Sequence, residues 1–125
     1  MTTPRVQTLD DIRDVLIPVL IRGGAIKTIV FGSYARGNPD EFSDLDLTIV
    51  ARSRRVFLER FKDFLDMWSV SPVKPLDVLV YSPEQLERMR QRENPFIMAA
   101  ITKGVLIYEA QPETRGYRNH TAGLV

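Results

Sequence analysis

The chain has 125 residues, the size of one domain and long enough to bury a substantial core. With 44% apolar and 26% charged residues it reads as globular rather than disordered. Its 17 basic and 16 acidic residues leave a formal charge of +1, too small a basic excess for a dedicated duplex-DNA binder. There is no cysteine, so neither a disulfide framework nor a cysteine metal site is available, and the single His120 cannot build a zinc cluster. No apolar run reaches membrane-spanning length, and Asp10, Asp11 and Arg13 interrupt any signal-peptide pattern. The cytoplasm is the expected location.

Thr8 reads as an N-cap, with Asp10 and Asp11 favourable in the first helical turn. Leu9, Ile12, Leu16, Val19 and Leu20 recur at helical spacing, and Val15, Ile17 and Ile21 widen the stripe enough to suggest an interface. Pro18 predicts a kink or an early end, and Gly23-Gly24 a stop. Residues 25–31 read as a first strand, 33–37 as a short helix and 38–42 as a polar loop. Residues 43–51 form a second strand. A second long helix is expected over 54–68, its Phe57, Phe61, Phe64, Leu65 and Trp68 stripe facing the core. Residues 71–75 link to a third strand at 76–81. Ser82-Pro83-Glu84-Gln85 reads as a capping box with proline at the first helical position. Asn94-Pro95 restarts a helix that Gly104 ends, and 105–108 is a fourth strand. Strands separated by helices predict an α/β (α+β) domain: a small mixed sheet of about four strands flanked by helices. The domain is expected over 1–110, with 111–125 a flexible tail.

Gly32-Ser33 lies ten residues ahead of Asp44-Leu45-Asp46. Successive strand residues point to opposite faces, so Asp44, Asp46 and Thr48 share one face. Two carboxylates on one rigid face near a Gly-Ser turn suit a divalent metal and a nucleoside triphosphate. Asp77 interrupts the apolar run 76–81. Such runs are commonly buried on both faces, where an ionised carboxylate is costly unless paired or metal-bound. The competing reading for Asp77 is a buried ion pair; for Asp44 and Asp46 it is a solvated strand face, and for Gly32-Ser33 an ordinary turn.

With these motifs in order, the chain resembles the minimal nucleotidyltransferases of the DNA polymerase β-like superfamily. The resemblance rests on Gly32-Ser33-Tyr34-Ala35-Arg36-Gly37, Ser43-Asp44-Leu45-Asp46 and Asp77, and it covers roughly residues 8–109. It implies a magnesium-dependent transfer, with two ions expected, of a nucleoside monophosphate, AMP from ATP, to a hydroxyl. Asp44, Asp46 and Asp77 would be catalytic and metal-binding, and Gly32, Ser33 and Arg36 nucleotide-binding. Arg36 could equally brace its loop by pairing with Asp40, Glu41 or Asp44. Arg52, Arg54 and Arg55 read as an exposed helix start or as phosphate ligands, and Arg88, Arg90 and Arg92 as a solvated helix face.

Larger relatives carry a helical domain that holds the acceptor, and this chain has no room for one. The resemblance therefore implies an acceptor on another chain: an all-helical HEPN-type partner, with this chain as antitoxin. The alternatives are a small-molecule enzyme of the aminoglycoside-modifying type and a module that sequesters a partner without chemistry. Neither membrane nor direct nucleic-acid binding is expected; a homo-oligomer stays open.

Overall fold

The computed structural model describes residues 8–73 and 75–111. Tail residues 112–125, His120 among them, lie outside the described residues.

Helix α1 (Leu9–Gly23) begins with a reciprocal capping box. The Asp11 amide donates to Thr8 Oγ1 at 3.1 Å and the Thr8 amide to Asp11 Oδ2 at 3.4 Å, satisfying two otherwise orphaned donors. The helix runs through Pro18 instead of ending there. Pro18 is exposed, while Ile12 and Leu16 before it and Val19 and Leu20 after it are buried in one cluster. That burial holds both halves within one helix despite the missing hydrogen bond. Gly24, at φ 82°, closes the helix.

The sheet has strand order β3-β2-β1-β4. β1 (Ala25–Phe31) pairs antiparallel with β2 (Leu45–Ala51) and with β4 (Val105–Glu109), while β2 pairs parallel with β3 (Leu76–Tyr81). This is the mixed four-stranded sheet the sequence predicts. On one face Val30, Leu45, Leu47, Ile49 and Val80 join Ile12, Leu16, Phe64 and Met67 in the main core. The other face carries Asp46, Thr48 and Val50 beside Asp77, Leu79 and Tyr81.

Two expectations need correction. The run 76–81 is not buried on both faces: β3 is an edge strand, Asp77 is exposed and Leu79 is 38% exposed. The charge of Asp77 is therefore solvated, and it forms no ion pair among the described residues. Nor is there one long helix over 54–68. A 3₁₀ helix covers Phe57–Phe64, followed by a four-residue α3 (Met67–Val70). Three residues per turn splits a stripe written at α-helical spacing among different surfaces. Phe64 is buried in the core; Phe57 stacks on Tyr81 with centroids 5.3 Å apart, Phe61 meets Trp68 edge-on at 5.7 Å, and Leu65 is exposed.

Helix α4 (Pro83–Gln91) is capped by Ser82, which accepts from the Gln85 amide at 3.0 Å. The Gln85 side chain does not complete the expected box; it accepts from Arg60 Nη1 at 2.7 Å. Helix α5 (Pro95–Lys103) starts and stops as its proline and glycine predict. No described helix is long and apolar enough to cross a membrane.

Thr28 and Thr48 lie fully or nearly fully buried, and their hydroxyls have no hydrogen-bond partner among the described residues. Thr28 sits among the side chains of the core, where an unpaired hydroxyl costs about 1–3 kcal/mol. Thr28→Val keeps the branched shape and removes that cost. The variant is expected to gain roughly 1 kcal/mol in urea denaturation.

Candidate active site

The site forms where β1 ends and β2 and β3 begin. Phe31 pairs laterally with Asp46, and Asp46 with Asp77, so the Gly32 turn and two carboxylates stand side by side across three strands. Asp44 immediately precedes β2. One carboxylate oxygen from each of Asp44, Asp46 and Asp77 lies within 4.8 Å of the others. Thus residues distant in sequence meet at one end of the sheet, on its second face. Three carboxylates offer hard oxygen donors of the kind magnesium takes, and a bound ion would offset their mutual repulsion.

Gly32 couples the turn to this cluster. Its φ is +72°, in the left-handed region, and a Cβ built there would stand 2.8 Å from Asp46 Oδ2. Both the backbone angle and the close approach require glycine. Helix α2 (Gly32–Arg36) follows, its N-terminus without a side-chain cap, and Ser33 occupies its first turn. Gly37, at φ 81°, ends it. Tyr34 is buried in the core.

Arg36 is exposed and forms no ion pair with Asp40, Glu41 or Asp44. The loop is braced instead by a residue pair the sequence reading missed. The Asp40 amide donates to Ser43 Oγ at 2.9 Å, the Ser43 hydroxyl to Asp40 Oδ1 at 3.2 Å, and the Phe42 amide to the same carboxylate at 2.9 Å. An aspartate whose side chain accepts from the amide two residues on is a turn signal visible in Asp40-Glu41-Phe42-Ser43. A second missed contact, Phe31 against Phe96 with centroids 5.4 Å apart, sets α5 beside the Gly-Ser turn. No local pattern announces it.

Arg52, Arg54 and Arg55 do not reach the carboxylates. They follow the far end of β2, and six strand residues separate Asp46 from Arg52 by about 20 Å. Arg88, Arg90 and Arg92 are exposed on and just after α4, with Arg90 paired to Glu87.

Burial pushes the Asp46 carboxyl above its ordinary range, aided by the neighbouring Asp77 and Asp44 charges. A carboxyl raised in the folded state holds its proton more tightly there than in the unfolded chain. Its contribution to stability is nil below the unfolded value and turns unfavourable as pH rises through the raised folded value. Metal-free protein should therefore carry a stability deficit at about pH 7 that shrinks as pH falls to the ordinary aspartate value of about 4. Thermal unfolding at both pH values, in chelator, is expected to show a smaller wild-type disadvantage against Asp46→Asn at the lower pH. An equal difference at both would remove the assignment.

Residues 16–113 match the family described as Polymerase beta, Nucleotidyltransferase. The chain belongs to that family and is a nucleotidyltransferase. Among its relatives, a Methanocaldococcus jannaschii protein named as a protein adenylyltransferase is 30% identical over 74 residues, covering 59% of this chain and 78% of that one. A minimal nucleotidyltransferase of known structure superposes with TM-score 0.54 at 24% identity, over 82% of this chain and 98% of the other. A chain from a toxin–antitoxin structure with AMP-PNP does so with TM-score 0.52 at 18% identity, over 82% and 77%. At these identities the two structures speak for the fold.

Proposed function

We propose that the chain transfers AMP from ATP to a hydroxyl on a partner protein, an all-helical HEPN-type protein for which it acts as antitoxin in the cytoplasm. The observation that carries this reading is the convergence of Asp44, Asp46 and Asp77 beside the Gly32 turn, at an open edge of the sheet. The relative named as a protein adenylyltransferase supports the acceptor class.

In the proposed transfer the acceptor oxygen attacks the α-phosphorus, the bond to the bridging oxygen of the β-phosphate breaks, and pyrophosphate leaves. Asp44 and Asp46 would hold magnesium, with Asp77 completing the cluster and taking the proton of the acceptor hydroxyl. Magnesium, as two ions, would supply charge neutralisation at the attacking and leaving oxygens. Gly32 lets the chain approach the triphosphate closely, and Ser33 offers its hydroxyl and amide to a phosphate. Arg36, with no ion-pair partner among the described residues, is assigned to the triphosphate. Such chemistry depends mostly on positioning and charge stabilisation, so a chain without its acceptor binds nucleotide yet turns over slowly.

The test is to incubate the chain with magnesium, ATP and the product of its neighbouring gene, then weigh that protein intact. An adenylate-sized mass increase that disappears in Asp44→Asn is expected. Rapid modification of a free aminoglycoside by the isolated chain, with no change in the neighbour, would overturn the reading.

A further inference from the structure

We propose that the opposite end of the sheet holds a second, magnesium-independent anion site that takes the phosphates of a di- or triphosphate. Arg22, from the last turn of α1, meets Arg52, Arg54 and Arg55, from the chain leaving β2, around an open cavity of about 460 Å³. The only carboxylate in its lining is Asp63. Four guanidinium groups meet one carboxylate in the lining, and Glu84 and Asp66, paired from outside it with Arg52 and Arg22, bring the group to a formal +1. The site is thus separate in place and opposite in charge from the aspartate cluster at the other end of β2.

The arginines are held by the structure. Ser53 donates to Asp63 Oδ2 at 2.7 Å and accepts from the Arg55 amide at 3.1 Å, while Arg55 Nε donates to Asp63 Oδ1 at 2.9 Å. These bonds to Arg55 and Ser53 keep the Asp63 carboxyl below its ordinary range although burial opposes them. Arg52 is tied to Glu84 at 3.0 Å and Arg22 to Asp66 at 3.3 Å, each from one side. Arg54 has no ion-pair partner among the described residues. Gly23 lets α1 press against the 3₁₀ helix: a Cβ there would meet the Phe64 ring at 2.4 Å and the Asp63 carbonyl at 2.8 Å. That contact brings Arg22 to the cavity.

The lining selects the ligand. Guanidinium forks match phosphate oxygens in paired hydrogen bonds. The volume suits a small molecule rather than a long segment of chain. No aromatic side chain among the described residues lines the cavity, and its guanidinium planes are the groups that phosphate oxygens would engage. Recognition therefore rests on the phosphates and ignores the nucleoside. Free pyrophosphate or tripolyphosphate and the tail of a nucleoside triphosphate present the same chemistry.

The experiment is calorimetric titration of the full chain in chelator, where the aspartate cluster repels polyphosphate. Tripolyphosphate and ATP are the probes, with a short polyglutamate peptide as the carboxylate control. Wild type is expected to bind tripolyphosphate and ATP alike and more tightly than polyglutamate, with affinity falling steeply as salt rises. Arg54→Ala should weaken tripolyphosphate binding by about tenfold and Arg54→Glu should remove it. Arg54 is exposed, and unfolding curves of both variants check that the fold is intact. Absence of wild-type binding, binding indifferent to Arg54→Glu, binding of ATP alone, or equal preference for polyglutamate would each overturn the proposal. The readout needs no nucleotidyl transfer, so the site stands or falls independently of the acceptor and of the reaction at Asp44, Asp46 and Asp77.

Discussion

Gly32→Ala is expected to lose magnesium–nucleotide binding and to fold with reduced stability. Two costs coincide at this position. The backbone is at φ +72°, where a residue with a Cβ pays about 1–3 kcal/mol in strain. The added Cβ would also stand 2.8 Å from Asp46 Oδ2, so the carboxylate or the turn must move. Either shift separates the turn from the metal ligands and misplaces phosphate relative to the carboxylates. Urea denaturation should report a loss in that range. A thermal scan with and without magnesium and ATP should show little of the wild-type stabilisation. A Gly32→Ala protein that keeps the full ligand-induced shift would show that turn and cluster are independent.

Asp46→Asn should have the opposite effect on the metal-free fold and a larger one on function. Asp46 is the carboxyl whose charge is least favourable in the folded protein, being partly buried between Asp44 and Asp77. Neutralising it relieves repulsion, so the apo variant should be at least as stable as wild type near neutral pH. Ligand that binds only the folded state stabilises by mass action, about 2.7 kcal/mol at a concentration near 100 times Kd. Asp46→Asn should forfeit most of that shift with magnesium and ATP, and transfer should fall by a factor on the order of 10²–10³ or more. Asp77→Asn, at the exposed edge of the sheet, should likewise leave the apo fold intact while removing transfer. Marked destabilisation of the Asp77 variant would revive a structural role for that residue, and an undiminished thermal shift in the Asp46 variant would remove Asp46 from the metal site.

The site's ingredients were legible because each is a local necessity. Gly32 is a turn residue before a helix, Asp44 and Asp46 bracket the start of an alternating strand, and Asp77 is a charge in an apolar run. The strand and helix limits at 25–31, 76–81 and 95–103, and a fourth strand expected at 105–108 and found at 105–109, followed from the same local chemistry, since caps, glycines and prolines act on their neighbours alone. Pro18 and the 54–68 stripe misled the reading for a common reason. Packing across the core decides whether a helix survives a proline and whether aromatic spacing is met by an α or a 3₁₀ turn, and neither is written within a few residues.

Asp77 is the instructive residue. Its sequence argument assumed burial on both faces, yet β3 lies at the sheet edge and the carboxylate is solvated. What brings it to the site is register: parallel pairing of β2 with β3 sets Asp77 beside Asp46. The approach of Gly32 to Asp46 and the gathering of Arg22 with Arg52, Arg54 and Arg55 around one cavity are likewise tertiary. The sequence by itself determined which groups the chain carries and the strands, helices and turns that present most of them, because backbone preference and side-chain alternation are short-ranged. Which groups meet was decided only when the strands paired. Register and strand order come from burying a whole face at once, and that energy belongs to no single segment.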